Sequence, residues 1–263
     1  VKNIYLTTPS LDSNINPAVI YAAKKCKVKK IYKTGGAHSI AALAYGTKTI
    51  EKVDLENYVV GHVWKKNVQC NWKIYWENFS ECLHCPNIHP ELSDLVPLFK
   101  RRLTDIKDHP EWSILKDQNN NPKYQGGLKE GSQTWSYDGS AQGHTIESIQ
   151  KEMESRGQIY ISTWPSMFLG IYGDHIRIVR LIPKGPEEVE LTAEWLFEKE
   201  TINNVNYDKS NVVDFAILVM NQDASIAEIN QKGLYNLKDN QGVLMPEEYI
   251  VRDFQKYIKN KIK

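Results

Sequence analysis

The chain has 263 residues, of which 41% are hydrophobic and 25% charged, and its formal net charge is +1. This composition is typical of a globular protein, and the small net charge gives no electrostatic reason to expect binding to nucleic acid or to an anionic membrane surface. No apolar run approaches the roughly 20 residues that a transmembrane helix needs, and the N-terminus lacks the pattern of a signal peptide.

The first 56 residues predict a short α/β fragment. Strands are expected at residues 1–9 and 30–36, and helices at residues 16–26 and 39–46. The order strand, helix, strand, helix is typical of α/β proteins. Because so short a segment cannot build a comfortable core of its own, we expect it to be poorly anchored or partly disordered.

Residues 57–263 predict an α+β domain built on an antiparallel sheet. Residues 58–76 are expected to form a strand, and residues 101–158 a long, loop-rich insertion. Three further strands are expected at residues 160–172, 176–182 and 189–197. Because short turns separate these strands, they predict an antiparallel meander.

Helices carry the remaining predicted features of this domain. Residues 77–100 are expected to form an interrupted helix. Apolar residues recur at helical period over 208–232, and Gly233 follows as a stop signal, so a long C-terminal helix is expected to lie across the sheet. The lysine-rich C-terminal end is expected to be the solvated end of a further helix.

Two histidines and a distant carboxylate form a candidate metal site. Glu81 and His84 would share one face of a helix, whereas His84 and His89 would lie about 140° from alignment. Pro86 is expected to break or kink the helix between the two histidines, and this break allows both imidazole rings to reach the same metal ion. Asp223 falls near the apolar stripe of the long helix, where a carboxylate needs a metal or a charged partner. Two histidines and one carboxylate can hold one face of Fe(II) and leave open positions for dioxygen chemistry.

Other interpretations of this segment stay open from the residues alone. Cys82 and Cys85 form a C-x-x-C motif, which is found in redox pairs and in half of a zinc site. A structural zinc site would need a second pair, and Cys26 and Cys70 stand alone. The histidines and Asp223 can also be ordinary core or surface residues without a metal. Four cysteines in all fit a reducing compartment, so a cytoplasmic location is expected.

The motif Glu-Cys-Leu-His-Cys-Pro-Asn-Ile-His at residues 81–89, within the run 71–92, closely resembles the catalytic domain of Rieske-type ring-hydroxylating oxygenase α subunits. The resemblance extends over about residues 57–263, with further matching runs at residues 124–135, 163–168, 221–223 and 242–249. It implies a helix-grip fold with His84, His89 and Asp223 as ligands of Fe(II). It also implies that Glu81 links the iron to the Rieske cluster of a neighbouring subunit.

The Glu-Cys-x-His-Cys context resembles the branch of this family that acts on small quaternary or methylated amines such as glycine betaine, stachydrine or carnitine. The resemblance implies O2-dependent hydroxylation or oxidative N-demethylation of such an amine, or hydroxylation of an aromatic ring. Aromatic faces attract quaternary ammonium groups, although aromatic residues in strands also serve as core packing. The residues expected near the metal or the substrate are Asn78, Trp164, Phe168, Tyr172 and Asn221.

The family also implies partners and a second cofactor. Its members receive electrons from a reductase through a 2Fe–2S Rieske cluster, and a homotrimer is expected. The cluster needs two cysteines and two histidines. Only one Cys-x-His occurs here, at residues 82–84, and no cysteine follows Cys85, so the cluster ligands are absent from this sequence. We therefore expect no reductase-driven turnover by the isolated chain.

Residues 1–54 resemble an internal piece of a different enzyme, histidinol dehydrogenase. The shared features include Asn-Pro-Ala at residues 16–18 and Ala-Ala-Leu-Ala-Tyr-Gly-Thr at residues 41–47. The match departs at His38, where that family has Gln, and it stops before the metal and catalytic residues of that family. Two alternatives to oxygenase activity follow: an inactive fusion or remnant that binds iron or a small ligand, and an activity related to histidinol dehydrogenase.

Overall fold

The computed structural model describes residues 4–8, 28–33, 52–100, 128–141, 143–151, 153, 157–235, 242–245 and 248–262. Near the N-terminus, strand β1 (Ile4–Thr8) pairs in parallel with β2 (Val28–Lys33), which confirms the two strands expected there. The helices expected at residues 16–26 and 39–46, and the expected weak anchoring of this segment, lie outside the described residues.

The central feature of the described chain is a five-stranded antiparallel sheet. Its strands lie side by side in the order β3-β7-β6-β5-β4. The strands are β3 (Tyr58–Val68), β4 (Ile159–Thr163), β5 (Met167–Ile171), β6 (Ile176–Gly185) and β7 (Glu188–Glu198). The predicted antiparallel meander is therefore confirmed, and only β3 comes from the distant part of the chain.

Two predicted strand boundaries are wrong. The single strand expected over residues 160–172 is a hairpin, in which Thr163 of β4 pairs with Met167 of β5. The turn between them contains Pro165, which cannot donate to a strand ladder. The strand expected over residues 58–76 ends at Val68 because a helix begins at Trp72.

The α-helices of the described residues lie between β3 and β4 and after β7 in chain order. They are α1 (Trp72–Phe79), α2 (Cys85–Ile88), α3 (Pro90–Leu95), α4 (Lys199–Asn203), α5 (Ser210–Leu234) and α6 (Tyr249–Lys259). Helix α1 begins five residues earlier than expected because the Asn71 side chain caps it, accepting a hydrogen bond from the Lys73 backbone N–H at 3.0 Å. The long helix predicted near the C-terminus is confirmed as α5. None of the described helices is long and apolar enough to cross a membrane.

One large apolar core joins the sheet to α1, α5 and α6. Alternate residues of β7 face it, including Trp195 at 0% exposure, and they meet Trp76 of α1 and Met220 of α5. Phe254 of α6 packs against the Trp76 ring with centroids 5.6 Å apart. Truncating a buried tryptophan to alanine typically costs about 3–5 kcal/mol, so this core fixes α1 and α5 firmly against each other. That packing brings the end of α1 to the middle of α5.

Candidate metal centre

The segment between α1 and α3 carries the two predicted histidines on either side of a single helical turn. Helix α2 begins at Cys85 with Pro86 in its first turn, His84 caps its N-terminus, and His89 caps its C-terminus. Pro86 therefore lies in the first turn of a short helix and does not interrupt a longer one, because its missing N–H is not needed in a first turn. The helical face expected to join Glu81 and His84 is also wrong, since Glu81 lies in the loop before α2.

The predicted third residue, Asp223, lies in the middle of α5 and is 8% exposed. Its Oδ1 atom lies 3.0 Å from Nε2 of His89 and 3.4 Å from Nε2 of His84. The two Nε2 atoms are 3.2 Å apart. Three potential ligand atoms from two distant parts of the chain thus converge on one point.

Each histidine is held through its other ring nitrogen. Nδ1 of His84 lies 2.6 Å from a Glu81 carboxylate oxygen, and Nδ1 of His89 lies 2.7 Å from Oε1 of Gln222. The Gln222 amide orientation is set by its Nε2, which donates to a Glu91 carboxylate at 3.0 Å. Because Glu81 and the Gln222 carbonyl only accept, both Nδ1 atoms carry the proton. Nε2 of each ring thereby faces the shared point with Asp223, where it can donate a proton to that carboxylate or, once deprotonated, offer a lone pair to a metal.

The donor set and its spacing fit Fe(II). Adjacent ligands of an octahedral ion with bonds of about 2.1 Å lie about 3.0 Å apart, close to the observed separations of 3.0–3.4 Å. Two imidazoles and one carboxylate on one face are the donors of non-haem Fe(II) oxygenase sites. Asn78 of α1 donates a hydrogen bond to Oδ1 of Asp223 at 2.6 Å, which fixes the carboxylate.

The electrostatics of the site couple the two histidines to an ionised, buried carboxylate. Burial lowers the pKa of His84, but its hydrogen bonds to Asp223 and Glu81 outweigh that effect and raise the pKa to about 9. Burial raises the pKa of Asp223, yet the hydrogen bonds from His84 and His89 lower it below its usual value. The buried carboxylate is therefore ionised, and a positive charge at this point stabilises it.

A disulfide between Cys82 and Cys85 closes the loop that carries His84. A disulfide is the oxidised form of the C-x-x-C redox pair that the sequence left open as an alternative, while Cys70 is a buried free cysteine. Sγ of Cys85 lies 3.9 Å from Nε2 of His84, so the cysteine sits at the edge of the centre. In the disulfide neither sulfur is a thiolate, which excludes the zinc half-site interpretation for this state.

A cavity of about 340 Å³ opens beside the three converging residues, and most of its wall is aromatic and apolar. Phe168 lines it, as expected, and stacks on Phe79 with ring centroids 3.5 Å apart. Further aromatic lining comes from Tyr75, Phe99, Trp135, Tyr160 and Tyr249. A volume of this order suits a small organic ligand.

Three other residues expected near the substrate lie elsewhere. Tyr172 stands behind the described lining, where its hydroxyl donates to that of Tyr160 at 3.2 Å. The Trp164 ring packs against Tyr257 of α6, with centroids 5.2 Å apart. The Asn221 amide oxygen accepts a hydrogen bond from Lys66 of β3 at 2.7 Å. Asn221 and Asp223 are two residues apart in a helix and so point in different directions, which explains why proximity in sequence misplaced Asn221.

Sequence reasoning missed two residues of the site. Gln222 is the partner of His89, and the only signal for it was its place beside Asp223 in the predicted helix. Arg177 is a buried residue of β6 that lines the cavity. Its inward position could have been found from the alternation of β6, but a lone arginine in a strand is normally assigned to the solvent face.

The curated relatives of this chain divide it into two parts. Residues 1–61 match the family model of histidinol dehydrogenase. The histidinol dehydrogenase of Pelagibacter ubique is 57% identical over 54 residues, covering 20% of this chain and 13% of that enzyme. The glycine betaine monooxygenase oxygenase subunit of Chromohalobacter salexigens is 25% identical over 183 residues, covering 63% of this chain and 41% of that subunit. The chain thus spans less than half the length of either relative.

Solved structures show the same fold. A quaternary ammonium Rieske monooxygenase, studied for carnitine oxidation by gut microbiota, has a TM-score of 0.53 at 13% identity and covers 87% of this chain and 57% of its own. Naphthalene 1,2-dioxygenase from Rhodococcus sp. has a TM-score of 0.51 at 13% identity, covering 87% of this chain and 62% of its own. The family model of the ring hydroxylating alpha subunit (catalytic domain) matches residues 55–263. The chain therefore belongs to the family of ring hydroxylating alpha subunits, through their catalytic domain.

Proposed function

We propose that residues 57–263 form the catalytic domain of a non-haem Fe(II) oxygenase, with His84, His89 and Asp223 as the metal ligands. The observation that carries this proposal is the mutual spacing of 3.0–3.4 Å between their three donor atoms, with Nε2 of both histidines facing one point. Fe(II) bound by these three residues supplies the activation of dioxygen, because such a facial set leaves open positions.

The residues around the ligands act as positioning groups. Glu81 and Gln222 hold the two imidazole rings through Nδ1, and Asn78 holds the Asp223 carboxylate. Partners of this kind fix the tautomer and the orientation of a ligand, and losing one typically costs about 10–100-fold in metal affinity. By its resemblance to the family, Glu81 is also the proposed route for electrons that arrive from a Rieske cluster on a neighbouring subunit.

We propose that the substrate is a small quaternary or methylated amine, which undergoes O2-dependent hydroxylation or oxidative N-demethylation. The support is the similarity to glycine betaine monooxygenase and the aromatic wall of the 340 Å³ cavity beside the metal centre. Phe168, Tyr160 and Trp135 offer ring faces or edges to that space, and aromatic faces attract quaternary ammonium groups. Hydroxylation of an aromatic ring is the alternative for the same apolar cavity.

The decisive experiment is an anaerobic Fe(II) titration of the purified chain. We expect one iron per chain, and we expect His84→Ala and Asp223→Ala to lose it. Two matched controls are available: His144 is an exposed histidine, and Asp214 is an exposed aspartate of the same helix α5. His144→Ala and Asp214→Ala should keep full stoichiometry. A folded protein without stoichiometric iron would contradict the proposal.

The remaining parts of the proposal concern partners. A Rieske cluster, a reductase and a homotrimer are expected from the family, and a cytoplasmic location is expected from the cysteine usage. Light scattering of the iron-loaded chain tests the trimer.

Formaldehyde release from glycine betaine, with peroxide replacing the electron donor, distinguishes an active oxygenase from an inactive remnant that only binds iron. The match to histidinol dehydrogenase covers only 13% of that enzyme and supports no proposal of its activity.

A further inference from the structure

Arg177 is a buried cation at the cavity wall, and none of the described carboxylates lies within ion-pair distance of it. It lies on β6, is 4% exposed, and lines the same cavity as the metal centre. Its guanidinium donates to the Tyr172 hydroxyl at 2.7 Å. Among the described residues no carboxylate forms an ion pair with it, and its Nε has no hydrogen-bond acceptor.

The tyrosines around Arg177 do not neutralise it. Burial raises the pKa of Tyr172, despite the opposing charge of Arg177, and burial raises the pKa of Tyr160 well above its usual value. Both phenols are therefore uncharged at neutral pH. A buried guanidinium without a negative partner is costly, so the charge calls for an anion from outside the described chain.

The neighbouring cavity wall has a surplus of hydrogen-bond donors. Nε1 of Trp135 also lacks an acceptor, and its ring lies 5.1 Å from that of Tyr172 between centroids. The Tyr172 hydroxyl accepts from Arg177 and donates to Tyr160, which leaves the Tyr160 proton without an acceptor among the described residues. Among the described residues that line the cavity, Gln158 is the one whose buried side-chain acceptor, Oε1, lacks a donor. A carboxylate brings only acceptors and so complements this donor-rich corner.

The net charge of the whole cavity also favours a ligand that carries a negative group. With Fe(II) bound, its two positive charges are balanced by Asp223 and Glu81, which both line the cavity. Arg177 then supplies the remaining positive charge. A purely cationic amine would leave that charge uncompensated, whereas a zwitterion compensates it and keeps its own ammonium group for the aromatic wall.

We propose that Arg177 binds the carboxylate of a zwitterionic substrate and so selects betaine-type amines over amines that carry no negative charge. This inference rests on the proposed oxygenase function and deepens it, because it assigns the substrate class to one residue. With the carboxylate held at Arg177, the methylated nitrogen lies among the aromatic rings of the same cavity. Arg177 is thus a specificity-determining residue, and it acts on binding before any chemistry.

The test is calorimetric binding of two trimethylammonium probes, glycine betaine and choline, to the anaerobic Fe(II)-loaded chain. The probes are similar in size, and choline has a hydroxymethyl group where the betaine has a carboxylate. The wild type should prefer glycine betaine by about tenfold or more, the range expected for a charge-assisted hydrogen bond. Arg177→Gln should remove the preference by weakening only betaine. Arg180→Gln is the matched control, since Arg180 lies on the same strand and pairs with Glu194.

The outcomes separate this inference from the proposed function. Iron stoichiometry is measured on every sample, so a failure to bind Fe(II) counts against the oxygenase proposal alone, and the probes are then titrated into the metal-free chain. An equal affinity for both probes in the wild type, no binding of either, or a preference that survives in Arg177→Gln would overturn the inference. If Arg177→Gln does not fold, Arg177→Lys decides: a smaller preference supports the role, and an unchanged one refutes it.

Discussion

Replacing Gln222 by leucine should weaken metal binding without touching a proposed ligand. The Gln222 carbonyl is the acceptor for Nδ1–H of His89 at 2.7 Å, and His89 is 1% exposed, so water cannot easily take its place. Without that acceptor the ring proton can move to Nε2, which lies 3.0 Å from a carboxylate oxygen of Asp223. A protonated Nε2 has no lone pair for a metal, so the proton must leave that nitrogen before the metal binds, and this weakens the affinity.

The size of this effect follows from the lost hydrogen bond. Leaving a buried donor unsatisfied costs about 1–3 kcal/mol, and losing a partner of a metal-binding histidine typically lowers affinity about 10–100-fold. These ranges agree, because a tenfold change corresponds to about 1.4 kcal/mol. We therefore expect the dissociation constant for Fe(II) to rise by about one to two orders of magnitude in Gln222→Leu.

An anaerobic competition titration against a chromophoric chelator measures this change, and nitrogen NMR of the histidine rings reports the tautomer. Asn221→Leu is the matched control, because Asn221 precedes Gln222 in α5 and contacts Lys66 instead of a histidine. An Fe(II) affinity of Gln222→Leu within twofold of the wild type would refute the reasoning. Equal losses in both variants would point to a general disturbance of the helix.

Two further predictions concern pH and redox state. Burial lowers the pKa of His175, so below about pH 6.5 the unfolded chain binds more protons than the folded chain. The free energy of unfolding therefore decreases as the pH is lowered, by up to about 1.4 kcal/mol per pH unit. His175→Phe should flatten that slope in urea unfolding between pH 5 and 7, and a slope equal to that of the wild type would contradict the assignment. Reducing the Cys82–Cys85 disulfide frees a soft donor 3.9 Å from Nε2 of His84, so Zn(II) affinity should rise. The Cys85→Ser variant should not respond to reduction, and a matching response would rule out ligation by that sulfur.

The ligand set shows how far local sequence reasoning reaches. His84 and His89 flank Pro86 in one short motif, and this motif, the periodicity around Asp223 and the family resemblance predict that the three residues share a metal. The structure brings the three side chains together, and metal binding stays a prediction. The local backbone was expected differently, because a proline in a helical stretch is compatible with either a kink or a new helix start. Only the structure shows that Pro86 lies in the first turn of α2, which places the histidines at the two ends of one turn.

Two element boundaries were predicted wrongly, also because a local pattern is compatible with more than one backbone structure. The apolar run over residues 160–172 predicts a strand, and periodicity alone does not reveal that the chain reverses at Pro165. Helix α1 begins at Trp72 because of a cap, and the aromatic residues around it suit a strand as well as a helix. Tertiary packing of Trp76 against the sheet decides between the two.

By itself, the sequence predicted the candidate donor residues, the long helix that carries Asp223, and the meander that follows the histidine segment. These are set by residue type and by periodicity, which act over a few neighbouring positions. The tertiary structure decided which polar groups surround the donors. Gln222 meets His89 across 133 residues, and Arg177 meets the cavity only because β6 turns that side chain inward. Such partners follow from the packing of α1 and α5 on the sheet, a long-range interaction that no local pattern encodes.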